Sequence, residues 1–350
     1  MSNITYLRAL NRALHEEMTR DERVFVIGED VAEAGGVWGV QKGLLAKFGH
    51  RRVRQTPISE CGFTGLAVGA AMTGLRPVVE IMYNDFITTC MDMVVNQAAK
   101  LRYMSGGQLS IPMVIHTPGG GGTAEAAQHS QCLEAWFAHV PGLKVVLPST
   151  PYDAYGLLKT AIRDDNPVYF MEHRLLYDTK GEVPKEEFTI PFGQAAIRRE
   201  GTDLTLVATL NMVQKCLNVA ERLAVSSSAS PSPRSAGVSP ASPISIEVID
   251  PRTLVPLDEQ TILTSVRKTG RLLVVQEAAT CGGFGSEIVR RVTEKAFDAL
   301  QSPPKVLGNL DLPMPFSPPL ERVVIPDEAA IERAIVSVVG GAEPRPPAVS

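Results

Sequence analysis

The sequence reads as an α/β protein of two successive domains, each a mainly parallel sheet flanked by helices. Short, almost uninterrupted apolar runs alternate with longer amphipathic segments, the pattern of strands buried on both faces between helical layers. The alternation comes in two series, one beginning at residue 24 and the other near residue 204. The length of 350 residues also suits two domains, at roughly 100 to 200 residues each.

Leu7, Leu10, Ala13, Leu14 and Met18 form a helical stripe interrupted by charges, unlike a secretory hydrophobic region or an acid-poor transit peptide. VFVIG, at 24–28, is expected as a buried strand. Further strands are expected at Val78 to Ile81, Met113 to His116, Val145 to Leu147 and Val168 to Met171, with helices between them. The second series runs through TLVATL near 204, Ile244 to Ile249, and RLLVVQEA at 271–278. The domains are placed at 1–190 and 191–340, with a frayed tail at 341–350. Within the second, residues 226–243 hold eight Ser and four Pro. That composition is too polar to pack, so a disordered surface loop is expected between the helix Val213 to Leu223 and the next strand.

Composition excludes several classes. Thirty-four basic residues nearly balance thirty-eight acidic ones, mixed along the chain, so the electrostatic footprint for nucleic acid or an anionic membrane is missing. The apolar content of 44% is ordinary. Five scattered cysteines, without a CxxC pair or zinc-finger spacing, point to reduced thiols and a cytoplasmic location.

Three segments carry candidate chemistry. In TPISECGFTGLAVGAAMTGLRPVVEI a single carboxylate, Glu60, precedes fifteen uncharged residues. It reads either as a first-turn helix acid behind Ser59 or as a catalytic carboxylate in an apolar pocket. Gly62, Gly65, Gly69 and Thr73 share one helical face and invite a close helix contact, potentially between subunits. In MVIHTPGGGGTAEAAQHSQ a glycine loop, Gly119 to Gly122, follows a strand and leads to His129. No P-loop lysine is present, so a flexible loop near substrate is expected, with His129 as either a structural hydrogen-bonder or a proton donor. Met82, Tyr83 and Phe86 read as helix-start packing or as a platform for a flat cofactor ring. Asp164 to Asn166 mark a helix end before Pro167, which could also hold a monovalent cation. CGGFGSEI, at 281–288, lacks the full dinucleotide spacing and reads as a strand-to-helix turn, which disfavours a nicotinamide oxidoreductase.

GEDV (28–31), RQTPISECGFTGLAVGAAMTGLRPVVE, NQAAKLRYMSGG, AAQHSQCLEAWFAHVPGLKVVLPSTPYDAYGLLKTAIRDDNPV and VIDPRTLVPLD together resemble the beta subunit of the thiamine-diphosphate-dependent component of 2-oxoacid dehydrogenase complexes. The resemblance spans nearly the whole chain and is nearest to bacterial pyruvate dehydrogenase, then acetoin dehydrogenase, with the branched-chain enzymes further off. It implies a pyrimidine-binding domain followed by a transketolase C-terminal-like domain. It implies that Glu60 hydrogen-bonds the cofactor's aminopyrimidine and helps generate the base that activates the thiazolium. It also implies that Phe86 stacks on that ring beside Met82, and that His129 protonates a lipoyl sulfur during acyl transfer. Potassium is implied at Met113, Ala161, Ile162, Asp164 and Asn166, largely through carbonyls. The family often has Arg at His116, Gln at Met93 and Asp at Gln55. A GDG motif with a downstream Asn, which holds magnesium and diphosphate, is absent from this sequence. The resemblance therefore implies an alpha subunit that carries it, in an alpha-two beta-two tetramer that serves a lipoyl-bearing acyltransferase core and takes a 2-oxo acid. A non-catalytic assembly module is the alternative, and retention of Glu60 and His129 argues against it.

Overall fold

A computed structural model describes residues 1–225 and 242–340. All but the last two residues of the Ser/Pro stretch 226–243 lie outside the described residues, as does the tail 341–350. The chain divides into two compact units. One comprises Met1–Gln194 with Arg252–Leu257 and Met314–Phe316; the other comprises Ala195–Pro251, Asp258–Pro313 and the chain from Ser317.

Fourteen strands occur among the described residues, β1 (Ser2–Thr5), β2 (Val24–Gly28), β3 (Val53–Gln55), β4 (Arg76–Glu80), β5 (Val114–Gly119), β6 (Lys144–Val146), β7 (Val168–His173), β8 (Lys180–Val183), β9 (Ala196–Arg199), β10 (Leu204–Ala208), β11 (Ile246–Asp250), β12 (Thr253–Val255), β13 (Leu272–Ala279) and β14 (Lys305–Asn309). In the first unit seven of them form one sheet in the order β12-β6-β7-β5-β4-β2-β3. All neighbours are parallel except β12, which runs antiparallel to β6. Strands β2, β4, β5 and β7 are buried along their whole length, as central strands between helical layers require. The strands expected in the first series correspond to β2, β4, β5, β6 and β7. The short β12 returns to this sheet from a later part of the chain. Three residues carry too little periodicity to reveal that.

Helices Tyr6–Arg20 and Pro151–Arg163 pack together. Each starts on a threonine whose hydroxyl accepts a backbone N–H from three residues on, Thr5 from Arg8 and Thr150 from Asp153, both at 3.2 Å. Between them the buried Lys159 ammonium meets Glu16 at 2.6 Å and Glu17 at 3.4 Å. A buried charge is tolerated only with such partners.

The second unit holds a five-stranded sheet, β14-β13-β10-β11-β9, parallel except for β9. Its glycine turn after β13 is accounted for by one side chain. Gln276 donates to the Ala279 carbonyl at 2.7 Å and accepts the Gly285 N–H at 2.7 Å. A Cβ on Gly283 would lie 1.9 Å from the Gln276 side chain, so that glycine makes room for glutamine. At the far side of the Ser/Pro stretch the Ile244 N–H donates to the Leu223 carbonyl at 2.9 Å, which holds the two ends of the stretch together. Deleting 226–243 and closing the gap with a short turn is therefore expected to leave the thermal unfolding midpoint unchanged. A midpoint lowered by several degrees would show that the segment packs on the unit. No helix among the described residues is long and apolar enough to cross a membrane.

Candidate active site

The parallel strands of the first unit deliver their polar residues at the carboxyl ends, where open α/β sheets bind ligands. Glu60 opens the helix Glu60–Met72, whose inward residues include Phe63, Ala67 and Val68. The half-buried carboxylate thus sits where the helix dipole favours negative charge. Ser59 stands in the capping position without a side-chain cap bond. A Cβ on Gly62 would lie 2.8 Å from the Ser59 hydroxyl, so glycine is needed there. Of the small-residue face, Gly62, Gly69 and Thr73 are exposed, while Gly65 faces the Met93 sulfur.

Sequence reasoning missed the neighbour of Glu60. Glu29, in the turn after β2, is half-buried, and one of its carboxylate oxygens has no hydrogen-bond partner among the described residues. Burial, then the charges of Glu60 and Asp30, push its carboxyl above the usual range. Burial first, and Glu60 among the smaller causes, also lifts the Cys90 thiol to about 11. A carboxyl whose proton is favoured by burial and a neighbouring carboxylate suits proton sharing with a ligand.

Cys90 ends the 3-10 segment Asn84–Cys90 that follows β4, and the same segment carries Phe86. The His129 ring stands edge-on to both Tyr83 and Phe86, with centroids 5.2 Å away in each case. Met82, half-buried, precedes Tyr83. The structure therefore brings Phe86, Tyr83 and His129 into one group, and Glu60, Glu29 and Cys90 into another, joined by the Asn84–Cys90 segment. Asp85 and Asn84 fix the approach of the histidine loop. Asp85 accepts the Gln131 side-chain amide at 2.8 Å and its backbone N–H at 3.2 Å, while Asn84 donates to the Gln131 carbonyl at 3.2 Å. Tyr169 in turn donates to Asn84 at 2.5 Å. These partners lie too far away in sequence for any local pattern to pair them.

The glycine loop is not the flexible segment expected. Gly119 to Gly121 are buried. A Cβ on Gly119 would meet Met171 at 2.6 Å, and one on Gly120 would meet the His173 ring at 2.2 Å. The glycines allow the loop to lie against β7, and Gly120 also adopts a φ of +85°. Close approach, rather than freedom, explains them.

The positions at which the resemblance implies potassium form a tightly tied helix end. Among the carbonyls, Met113 accepts Val168 N–H at 2.9 Å and Ala161 accepts Asp164 N–H at 3.3 Å. Arg76 donates to Ile162 at 2.8 Å and to the Asp164 carbonyl at 2.7 Å. The Asp164 carboxylate pairs with Lys144 and accepts from Asn166. Burial alone would raise it, but Lys144 and Asn166 hold it below the usual range. Two protein cations thus brace this helix end, while the carbonyls of Met113 and Ile162 each accept a bond and carry a second lone pair.

His116, the residue at the often-arginine position, is fully buried between the carboxylates of Glu80 and Glu172. Gln41 donates to Glu80 at 2.9 Å and Tyr177 to Glu172 at 2.6 Å. Burial pulls the imidazolium down, but Glu172 and Glu80 outweigh it and hold its titration well above the usual value. Burial lifts Glu80, with His116 opposing. Both groups bind more protons folded than unfolded. Their contribution to stability is complete below the unfolded values and is lost as pH rises through the folded ones. His116→Leu would leave two buried carboxylates facing each other and is expected to cost about 3–5 kcal/mol in denaturant unfolding. A loss under about 1 kcal/mol would contradict the pairing.

The donor set suits a flat, polar cofactor. Phe86 lies on a segment that packs against the helix opened by Glu60. Oxygens of Asp85 and Ser130 are buried without hydrogen-bond partners among the described residues, and such orphans are rare unless a ligand meets them.

Residues 2–180 match the family described as "Transketolase, pyrimidine binding domain", and 238–331 match "Transketolase, C-terminal domain". The pyruvate dehydrogenase E1 component subunit beta of Rhizobium meliloti (strain 1021) is 45% identical over 97% of this chain and 70% of its own. The acetoin:2,6-dichlorophenolindophenol oxidoreductase subunit beta of Bacillus subtilis (strain 168) is 45% identical over 95% of this chain and 96% of its own. Among solved structures, a split gene transketolase, an inactive beta4 tetramer, superposes with a TM-score of 0.75 over 98% of this chain and 100% of that one. At 21% identity that likeness bears on the fold alone.

Proposed function

The chain belongs to the family of pyruvate dehydrogenase E1 beta subunits and their acetoin-oxidising relatives, built on transketolase-type domains, and from that premise we propose that it is the beta half of a thiamine-diphosphate-dependent pyruvate dehydrogenase. The observation that carries this reading is the grouping of Phe86 with His129 on the Asn84–Cys90 segment, which packs against the helix opened by Glu60, with Glu29 beside that carboxylate. An assembly module would have no use for that grouping.

In this reading Phe86 and Glu60 hold the aminopyrimidine of the cofactor, with Met82 alongside. Bound thiamine diphosphate supplies the electron sink for decarboxylation. Glu60 holds or shares a proton at its carboxyl oxygen, aided by the neighbouring carboxyl of Glu29. His129, kept edge-on by Tyr83 and Phe86, delivers a proton to a lipoyl sulfur as the acyl group is transferred. Potassium is assigned to Met113, Ala161, Ile162, Asp164 and Asn166, largely through carbonyls, at the helix end that Arg76 and Lys144 brace.

The diphosphate and its magnesium are assigned to an alpha subunit in an alpha-two beta-two assembly, which in turn serves a lipoyl-bearing dihydrolipoyl acyltransferase core. What supports an alpha partner is the missing GDG motif and the exposed apolar surface around the Glu60 helix, where Ile58 is 82% and Leu66 52% exposed. A cytoplasmic location is proposed as well, supported by the absence of any disulfide among the five cysteines.

Substrate choice is tested by assembling the enzyme with its alpha subunit and an artificial electron acceptor, then comparing kcat/KM for pyruvate, acetoin and branched-chain 2-oxo acids. Pyruvate is expected to lead. Preference for acetoin, whose Bacillus oxidoreductase subunit is equally similar, or for a branched acid, would overturn the substrate assignment.

A further inference from the structure

The segment between the glycine loop and His129 has no regular secondary structure, so no helix or sheet ladder fixes it. Two of its residues are also held against their preference. Ala124 and Ala126 have φ values of +59° and +62°, a left-handed backbone that alanine adopts only when its surroundings impose it.

One side chain reaches both ends of this segment. Arg174, in the turn after β7, is completely buried in its side chain. Its guanidinium donates to the carbonyls of Gly120 and His129 and to the Glu125 carboxylate. It also lies over the Tyr83 ring, 4.9 Å from the centroid, and Tyr83 is one of the two rings against which His129 stands. A planar fork of five donors can serve several acceptors in fixed directions while stacking on an aromatic face. A lysine at this position could keep the charge but not that geometry.

We propose that Arg174 is the positioning residue for His129, clamping the 120–129 segment in its strained path so that the imidazole stays against Tyr83 and Phe86. The clamp rests on the reading of His129 as proton donor in acyl transfer. It acts through the backbone on either side of the strained alanines and through the Tyr83 ring, without contact to the reacting atoms. The arrangement also accounts for a buried arginine at a strand end. Its charge is met by Glu125, whose side chain is 30% exposed, and one terminal nitrogen donates to two carbonyls of the loop it organises.

The test uses the assembled enzyme and three variants, Arg174→Gln, Arg174→Lys and Glu125→Gln. Reductive acetylation of a free lipoyl domain, turnover with an artificial acceptor, and hydrogen exchange over 120–131 are measured for each. Small misplacement of a reacting group costs up to about 100-fold. Arg174→Gln is therefore expected to lower kcat for acetylation about 10- to 100-fold, with KM for the lipoyl domain and artificial-acceptor turnover changed little. Exchange should quicken over 120–131 only. Arg174→Lys should recover part of the rate, and Glu125→Gln should move the same readouts less.

Equal losses in both half-reactions, or faster exchange throughout the first unit, would reduce Arg174 to a structural residue and overturn the proposal. Should Arg174→Gln fail to assemble, Glu125→Gln decides: unchanged acetylation and exchange would overturn the clamp. His129→Ala is run in parallel. If it separates the half-reactions while Arg174→Gln behaves as the parent, the clamp fails alone. If His129→Ala does not separate them, the reading beneath the clamp fails.

Discussion

Glu60→Gln, in the enzyme assembled with its alpha subunit, is expected to bind thiamine diphosphate almost as the parent does and to lose pyruvate decarboxylation by about 100- to 10,000-fold, the range for a positioned proton-transfer group. The amide is nearly isosteric with the carboxyl, so the helix start at Glu60 and the space left by Gly62 are undisturbed. What changes is the proton. An amide cannot hold or release one at the oxygen, and the neighbouring Glu29 loses the charge that helps keep its own carboxyl above the usual range. Cofactor titration followed by tryptophan fluorescence or calorimetry, with turnover measured on the same preparation, separates binding from chemistry. Turnover within a few-fold of the parent would remove Glu60 from its assigned role.

His129→Ala is expected to divide the two half-reactions. Decarboxylation with an artificial acceptor should survive within a few-fold, while acetyl transfer to a lipoyl domain should fall by about 100- to 10,000-fold. Opening the lipoyl disulfide creates a thiolate leaving group that needs a proton, and an imidazole can both hold and give up one. The geometry supports a fixed donor: the ring is set between Tyr83 and Phe86, and its loop is tied down through Gln131 to Asp85 and Asn84. Equal losses in both assays would make the residue a general element of the site.

Much of the fold was legible because its signal is local. β2 is a continuous apolar run, and β7 opens with the apolar stretch Val168 to Met171, as a doubly covered strand requires. Glu60 stood out because fifteen uncharged residues follow it. His129 stood out because a glycine loop leads to it. The features that escaped depend on residues far apart in sequence. Arg174 reaches Gly120, Glu125 and His129 across 54, 49 and 45 positions. β12 joins a sheet built almost wholly from the first half of the chain. The glycines at 119 to 122 suggested flexibility, since composition does not reveal that Met171 and His173 press against the loop. The bonds that brace the helix end at Asp164 escaped for a similar reason, because Arg76 arrives from 88 positions away.

The central claim is that this chain supplies the Glu60 and His129 half of a site completed by another polypeptide. Its most direct test is carbon dioxide release from labelled pyruvate, measured for this chain alone, for the alpha subunit alone, and for the co-purified assembly, each with and without thiamine diphosphate and magnesium. The account predicts release only from the assembly and only with the cofactor present. Release by this chain alone, or none from a stable, cofactor-loaded assembly, would contradict it.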